Sequence, residues 1–148
     1  FKLILKNFFL RILMPPIYQL EKWTFRSADK LNVVSDQIGS PTNANDLASA
    51  VISIINSKIF SETVQLSGIF HYSNGGECSW YDFAKEIASI SGIKCIINPL
   101  SSKDYPQDAA RPKPVLLNKR KIQDFFGLEI IFWKDSLREC IKVLSSSS

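Results

Sequence analysis

The chain has 148 residues, of which 45% are hydrophobic and 22% charged, and it carries a formal net charge of +4. That is long enough for one domain with a real core, and too apolar for a disordered chain. The charge is modest and diffuse, which suits an anionic small ligand and argues against a nucleic-acid surface.

The first stretch, Phe1–Met14, reads FKLILKNFFLRILM. Leu5, Phe8, Phe9, Ile12 and Leu13 recur at helical spacing. Lys2, Lys6 and Arg11 break the run, which is too short for a membrane span. No small-residue cleavage pattern of a signal peptide follows. Pro15 and Pro16 end the predicted helix. Ile17–Lys30 has no clean period. The abrupt start at Phe1 reads as a truncated end, so residues 1–30 are expected to be a truncated or divergent segment. The expected location is the cytoplasm.

The stretch that organises the remainder is Leu31–Leu47, LNVVSDQIGSPTNANDL. Leu31, Val33 and Val34 predict a short strand. A polar loop follows, in which Ser35, Asp36 and Gln37 offer hydrogen-bonding groups. Gly39 permits close approach of a ligand or backbone, and Pro41 stiffens the turn. Asn43 or Asn45 can cap the next helix, and Asn43 with Asp46 has the spacing of a capping box. In α/β folds ligands bind where strands end and helices begin. The loop therefore reads either as a site wall or as an ordinary strand-to-helix turn.

Asp46–Ile59 is the predicted helix, with Leu47, Val51, Ile54 and Ile55 as its buried stripe. Gly68–Tyr72 predicts a strand and Ser73–Gly76 a turn. Ser79, with Asp82 three residues on, caps a helix whose Trp80, Phe83, Ala84, Ile87 and Ile90 face one way. Gly92 stops it. Lys94–Ile97 predicts a strand closed by Pro99. Ser101–Pro114 is a proline-rich loop carrying Arg111. Asn118 caps a helix that runs through Phe126 to Gly127. Asp135 begins the last helix, with Leu137, Cys140, Ile141 and Leu144 on one face. Ser145–Ser148 reads as a disordered tail, and no internal repeat is evident. Short strands thus alternate with short helices, which is an α/β pattern.

Chemistry-bearing residues are sparse. The three cysteines, Cys78, Cys95 and Cys140, form no metal-type pair, and their odd count suits a reducing compartment. His71 lies in a strand-like run, as a packed or hydrogen-bonded histidine. No glycine-rich loop of the dinucleotide-binding kind follows any strand.

Three strings carry a resemblance. VVSDQIGSPT followed by DLA, GIFHYSNGGECSWYDFAKEI, and KDYPQDAARPKPVLLNKRKI occur in that order. Together they resemble the dTDP-4-dehydrorhamnose reductase family of extended short-chain dehydrogenase/reductases, over Leu31–Leu144. The resemblance implies a truncated Rossmann-type reductase, of which residues 31–144 are the C-terminal substrate-binding lobe. The implied reaction is NAD(P)H-dependent reduction of the 4-keto group of dTDP-6-deoxy-L-lyxo-4-hexulose to dTDP-L-rhamnose. The NADPH or NADH site would belong to an N-terminal half absent from this sequence. The family's use of Mg2+ finds no identifiable ligand set here.

The resemblance also assigns roles. Gln37 and Ser40 would hydrogen-bond sugar or phosphate oxygens, while Gly39 and Pro41 set backbone shape. Arg111 would meet the nucleotide part of a dTDP-sugar through its planar fork of donors. Trp80 reads either as core stripe or as part of the substrate wall. Cys78 reads as a small buried residue and Lys119–Arg120–Lys121 as a solvated face. Tyr18 and Lys22 share the Y-x-x-x-K spacing of the family's proton donor, but a chain with four tyrosines meets it by chance, so no catalytic residue is assigned. The expected partners are the dTDP-sugar, a separate cofactor-binding half and a second copy in a homodimer, with neither nucleic acid nor membrane. Two other readings stand beside the reductase: a non-catalytic subunit resembling the methionine adenosyltransferase regulatory subunit, and an inactive gene remnant.

Overall fold

The structure, a computed structural model, describes residues 29–62, 67–104 and 116–146. The expectations for the Phe1–Met14 helix, Tyr18, Lys22, Arg111 and Ser147–Ser148 lie outside the described residues.

Strand β1 (Lys30–Val34) pairs in parallel with β4 (Ile96–Leu100), from Lys30 opposite Ile96 to Val34 opposite Leu100. The sequence reading ended the second strand at Pro99, yet the strand runs through it. The Ile96 amide donates to Asp29 O, so amides of even-numbered residues face β1 and position 99 faces the open edge. A proline there costs the ladder no hydrogen bond. Helix α1 (Ala44–Ile55) and helix α2 (Lys58–Glu62) replace the single helix expected over Asp46–Ile59. Ser57 divides them: its hydroxyl donates to Ile54 O at 2.7 Å and accepts from the Phe60 amide at 3.2 Å, closing one helix and capping the next.

Gly68–Tyr72 was expected to be a strand, but no ladder forms there among the described residues. Helix α4 (Arg120–Phe126) packs alongside instead, and Lys121 Nζ takes the Ile69 carbonyl at 3.1 Å while lying 4.5 Å from the Phe70 ring centre. Phe70 fills the space between Phe125 and Phe126.

Helix α3 (Trp80–Ser91) is the hub of packing. Phe83 and Ile87 join Cys78, Trp133, Leu137 and Ile141 in a cluster against α5 (Trp133–Ser146). Ala84 and Ala88 face the sheet and meet Leu31, Val33 and Ile97. The small side chains let the helix lie close to β1 and β4. A second core joins Leu47, Ala50 and Ile54 of α1 to Phe70, Tyr72 and Ile122. Burying each large apolar side chain contributes about 1.5–3 kcal/mol. Glu86 of α3 also pairs with Lys134 of α5 at 2.8 Å.

Caps follow the sequence reading more closely than strands do. Ser79 and Asp82 form the reciprocal capping box of α3, and Gly92 and Gly127 end α3 and α4 in the left-handed conformation. The Asn118 side chain accepts from the Arg120 amide at 2.9 Å. Helix α5 starts two residues before Asp135 and continues to Ser146. Ser145 and Ser146, expected in a disordered tail, instead donate to the carbonyls of Ile141 and Val143.

Two glycines separate strain from crowding. Gly92 has φ +66 and open space around a would-be Cβ, whereas Gly76 has φ +79 and its Cβ would sit 2.3 Å from the Phe132 ring. Gly92→Ala should cost about 1–2 kcal/mol from backbone strain alone. Gly76→Ala should cost about 1–3 kcal/mol more, from overpacking, as read by urea denaturation. Asp82 supplies a pH test. The Ser79 hydroxyl, then the Ser79 amide and nearby Lys85 and Lys134, hold its carboxyl below 3.8. A carboxyl depressed on folding stabilises fully above its unfolded pKa and loses that contribution as pH falls through the folded value. Asp82→Asn should therefore melt earlier at neutral pH, with the gap to wild type closing as pH drops below 3.8.

Candidate functional site

The loop after β1 does not stand alone. Its residues Ile38–Gly39 form a short strand, β2, antiparallel to β3 (Cys78–Ser79), with Ile38 opposite Ser79 and Gly39 opposite Cys78. Three further hydrogen bonds sew the loop to the segment 74–76. Ser40 Oγ donates to Gly76 O at 2.7 Å, the Asn74 amide donates to Thr42 Oγ1 at 3.4 Å, and the Asn43 amide donates to Asn74 Oδ1 at 2.8 Å. Gly39, Ser40, Pro41 and Thr42 are all buried.

The expected capping box of α1 is only half formed. Asn43 is the N-cap and accepts from the Asn45 amide at 2.9 Å. Asp46 does not reach back to it. The Asp46 carboxylate instead accepts from Asn74 Nδ2 and Ser136 Oγ, each at 2.5 Å. Asn74 thus supplies to the Asn43 amide what the box would have supplied. Its Nδ2 also donates to Ile131 O at 3.1 Å, and its carbonyl accepts from Lys119 Nζ at 3.3 Å. The side chain has no exposed surface.

Of the predicted site residues, Arg111 lies outside the described residues, while the pairing of Gly39 with Cys78 places Gly39, with Gln37 before it in the chain and Ser40 after it, next to the segment that leads into α3, whose first residue is Trp80. Gln37 is half-buried, and its carboxamide makes no hydrogen bond to another described residue. Ser40 is buried with its hydroxyl hydrogen on Gly76, so only its oxygen lone pairs remain. Trp80 is half-buried and meets Phe83 edge to face at 6.4 Å. Asp36 fastens the C-terminal ends of β1 and β4 together: its carboxylate accepts from the Ser102 amide and hydroxyl and from Ser101 Oγ. Those bonds, led by the Ser102 amide, lower its pKa below the ordinary value. The clasp puts the start of the 101–115 stretch beside the start of the Gln37 loop.

Other assignments change. Lys119 and Lys121 are not simply a solvated face: Lys119 is half-buried against Ser73 and Asn74, where desolvation lowers its pKa. His71 Nδ1 is buried without a hydrogen-bond partner among the described residues. Cys78 is buried, as expected, and burial followed by the charge of Asp82 pushes its thiol up to about 12. Burial and Asp46 likewise raise Tyr72 to about 12, the wrong direction for an activated proton donor.

The six glycines are Gly39, Gly68, Gly75, Gly76, Gly92 and Gly127, and all lie within the described residues. Gly39 pairs in β2, and any Cβ on Gly76 would collide with Phe132. None forms the strand–loop–helix cradle that a pyrophosphate needs, so these residues do not fit a dinucleotide. Among the described residues no cluster of three or more His, Cys, Asp or Glu could hold a metal ion. No described helix is long and apolar enough to cross a membrane.

The arrangement of β1, the sewn loop and the capped α3 can be compared with known proteins. The sequence pattern of the RmlD substrate binding domain matches residues 19–146. The chain belongs to the RmlD substrate binding domain family. A dTDP-4-dehydrorhamnose reductase from Sinorhizobium fredii is 38% identical over 120 residues, covering 78% of this chain and 40% of that protein. The crystal structure of a dTDP-4-dehydrorhamnose reductase from Clostridium acetobutylicum superposes with a TM-score of 0.75 at 34% identity, over 87% of this chain and 43% of the other. The Bacillus anthracis enzyme, solved in complex with NADP, gives a TM-score of 0.73 at 29% identity, over 86% of this chain and 42% of its own. The RmlD-type chain therefore spans about two fifths of the length of the relatives it matches. It is an α/β unit corresponding to the substrate-binding part of Rossmann-type reductases.

Sequence reasoning missed Asn74 and Ser136 as residues whose hydrogen bonds hold the candidate loop and the start of α1. Asn-Gly-Gly reads as a surface turn, and Ser136 reads as a polar helix residue; their partners are 28 to 90 residues away. The buried thiol yields a prediction. Native alkylation at about pH 8 should leave Cys78 unmodified, because thiolate is the reactive form. Peptide mass spectrometry before and after denaturation checks it.

Proposed function

We propose that this chain is the sugar-nucleotide-binding part of a dTDP-4-dehydrorhamnose reductase. The observation that carries the proposal is the preformed loop Gln37–Thr42, held by β2–β3 and Asn74, in a chain 38% identical to a reductase of that name. Gln37 contributes an uncommitted carboxamide to sugar or phosphate oxygens. Gly39 keeps the backbone flush, Ser40 contributes acceptor lone pairs, and Trp80 forms the adjoining wall. Arg111 grips the diphosphate, for which a guanidinium fork is the matching donor. The substrate is a dTDP-linked 4-keto sugar, and the reductant is NADPH or NADH.

The cofactor seat belongs to the part of such reductases that this chain does not span. What these residues do is bind and orient: they hold the nucleotide sugar so that its carbonyl meets the nicotinamide of that other part. The assembly proposed for turnover is thus this lobe together with a cofactor-binding half, with a homodimer as its higher order. No step of proton transfer is assigned to a described residue.

Isothermal titration with dTDP tests the proposal on the chain itself. Binding should be weak and measurable. Arg111→Ala should weaken it by about 1–3 kcal/mol, as for a charged hydrogen bond. Gln37→Ala should weaken it by about 0.5–1.5 kcal/mol. Titration curves that are flat for wild type, or unchanged by both substitutions, would remove the nucleotide from this cleft.

A further inference from the structure

The proposed function takes the loop as held in place, and a largely buried polar network among the described residues is what holds it. It joins four parts of the chain: the loop end Thr42–Asn43, Asp46 of α1, Ile131 just ahead of α5 and Ser136 within α5. Asn74 is the member that touches all of them or their immediate partners. Its carboxamide is used from both ends: Oδ1 takes the Asn43 amide, and Nδ2 divides between Asp46 and Ile131 O. Asn43 Nδ2 closes the ring on Ser136 O at 3.4 Å. Thr42 Oγ1 carries the network onward by donating to Ser40 O at 3.2 Å. The chain of bonds runs from α5 through Asn74 into the peptide groups of the Gln37–Thr42 loop.

Ordinary packing does not require this arrangement. An apolar residue of similar size would fill the same volume, but the part-buried Asn43 amide would lose its acceptor and the Asp46 carboxylate would keep only the Ser136 hydroxyl. A carboxamide is also directional, because it offers an acceptor at one end and donors at the other. The loop can bond to it in one register only. The antiparallel ladder beside it is two residues long and offers little resistance to a slip by itself.

We propose that Asn74 is a positioning residue: its carboxamide sets the register and height of the Gln37–Ser40 loop against α5, and so presents that loop as a rigid wall to the nucleotide sugar. This rests on the proposed function for the ligand, but not for the positioning itself. Asn74 acts through Thr42 and Asn43 and has no surface of its own from which to touch a ligand.

The test uses amide hydrogen exchange and dTDP titration on the same samples. Asn74→Asp sets a carboxylate against Asp46, breaking the pair without changing its size. Amides of residues 38–43 should exchange about tenfold faster in this variant, while those of Phe83–Ala88 in α3 keep their wild-type rates. Affinity for dTDP should fall with the loop protection. The double variant D46N/N74D restores the pair between positions 46 and 74 with donor and acceptor exchanged, but not the bond to Ile131 O, and should recover both readouts in part. Equal acceleration in the loop and in α3, unrelieved by the double variant, would make Asn74 a general stability residue and overturn the proposal. If Asn74→Asp does not fold, Asp46→Ala is measured by the same criterion, since it removes one acceptor of Asn74 Nδ2 and leaves the Asn74 backbone bond to Thr42 in place. If wild type binds no dTDP, the proposed function fails, and the exchange pattern still decides whether Asn74 positions the loop.

Discussion

A fully buried carboxamide must find all of its partners at once. Each hydrogen bond of Asn74 left unmade would cost about 1–3 kcal/mol, a large share of a small domain's net stability. The loop before α1, the turn ahead of β3 and the entry to α5 therefore assemble together. The capping of α1 depends on the same group, because Asp46 turns to Asn74 and Ser136 rather than back toward Asn43. What reads locally as a helix start is completed by residues far away in the chain.

Helix α3 transmits this arrangement to the rest of the molecule. Its N-terminus follows directly on β3, which pairs with β2, so the loop and the helix share one anchor. One stripe of the helix packs on α5 and the other on the two-stranded sheet. The loop after β1 is thus bounded by elements that are rigid for separate reasons: apolar packing, a reciprocal cap and a directional polar network. On the proposed function, a binding wall built on such supports would need little reorganisation when a ligand arrives.

Much of this was legible in the sequence, and the exceptions share a cause. The helices, the Ser79–Asp82 cap, the stop at Gly92 and the β1 strand were readable because their signals are local. The three strings that resemble the reductase family also pointed to the fold. Gly68–Tyr72 carries the composition of a strand but has no ladder partner among the described residues, and a strand exists only by pairing. Pro99 read as a breaker and Ser57 did not, and in both cases surroundings decided: a shared hydroxyl split one helix, whereas an outward-facing ring left a strand whole. Gln37, Gly39 and Ser40 were selected from their loop, but their grouping with Trp80 needed the β2–β3 register. Asn74 and Ser136 could not be selected, because nothing in their neighbours announces a partner 28 or 90 residues away.

The parallel pairing of β1 with β4 joins residues whose numbers differ by 66. During synthesis β1 leaves the ribosome long before its partner exists, and loop closure on that scale is slow compared with helix formation. In the interval an apolar strand waits with its hydrogen-bonding edge open, which is the condition that favours association between nascent chains. Lys30 and Asn32, spaced two apart and both exposed, share one face of β1 and put a charge and a carboxamide there. Polar side chains at such positions disfavour association of the unpaired strand while β4 is still unmade.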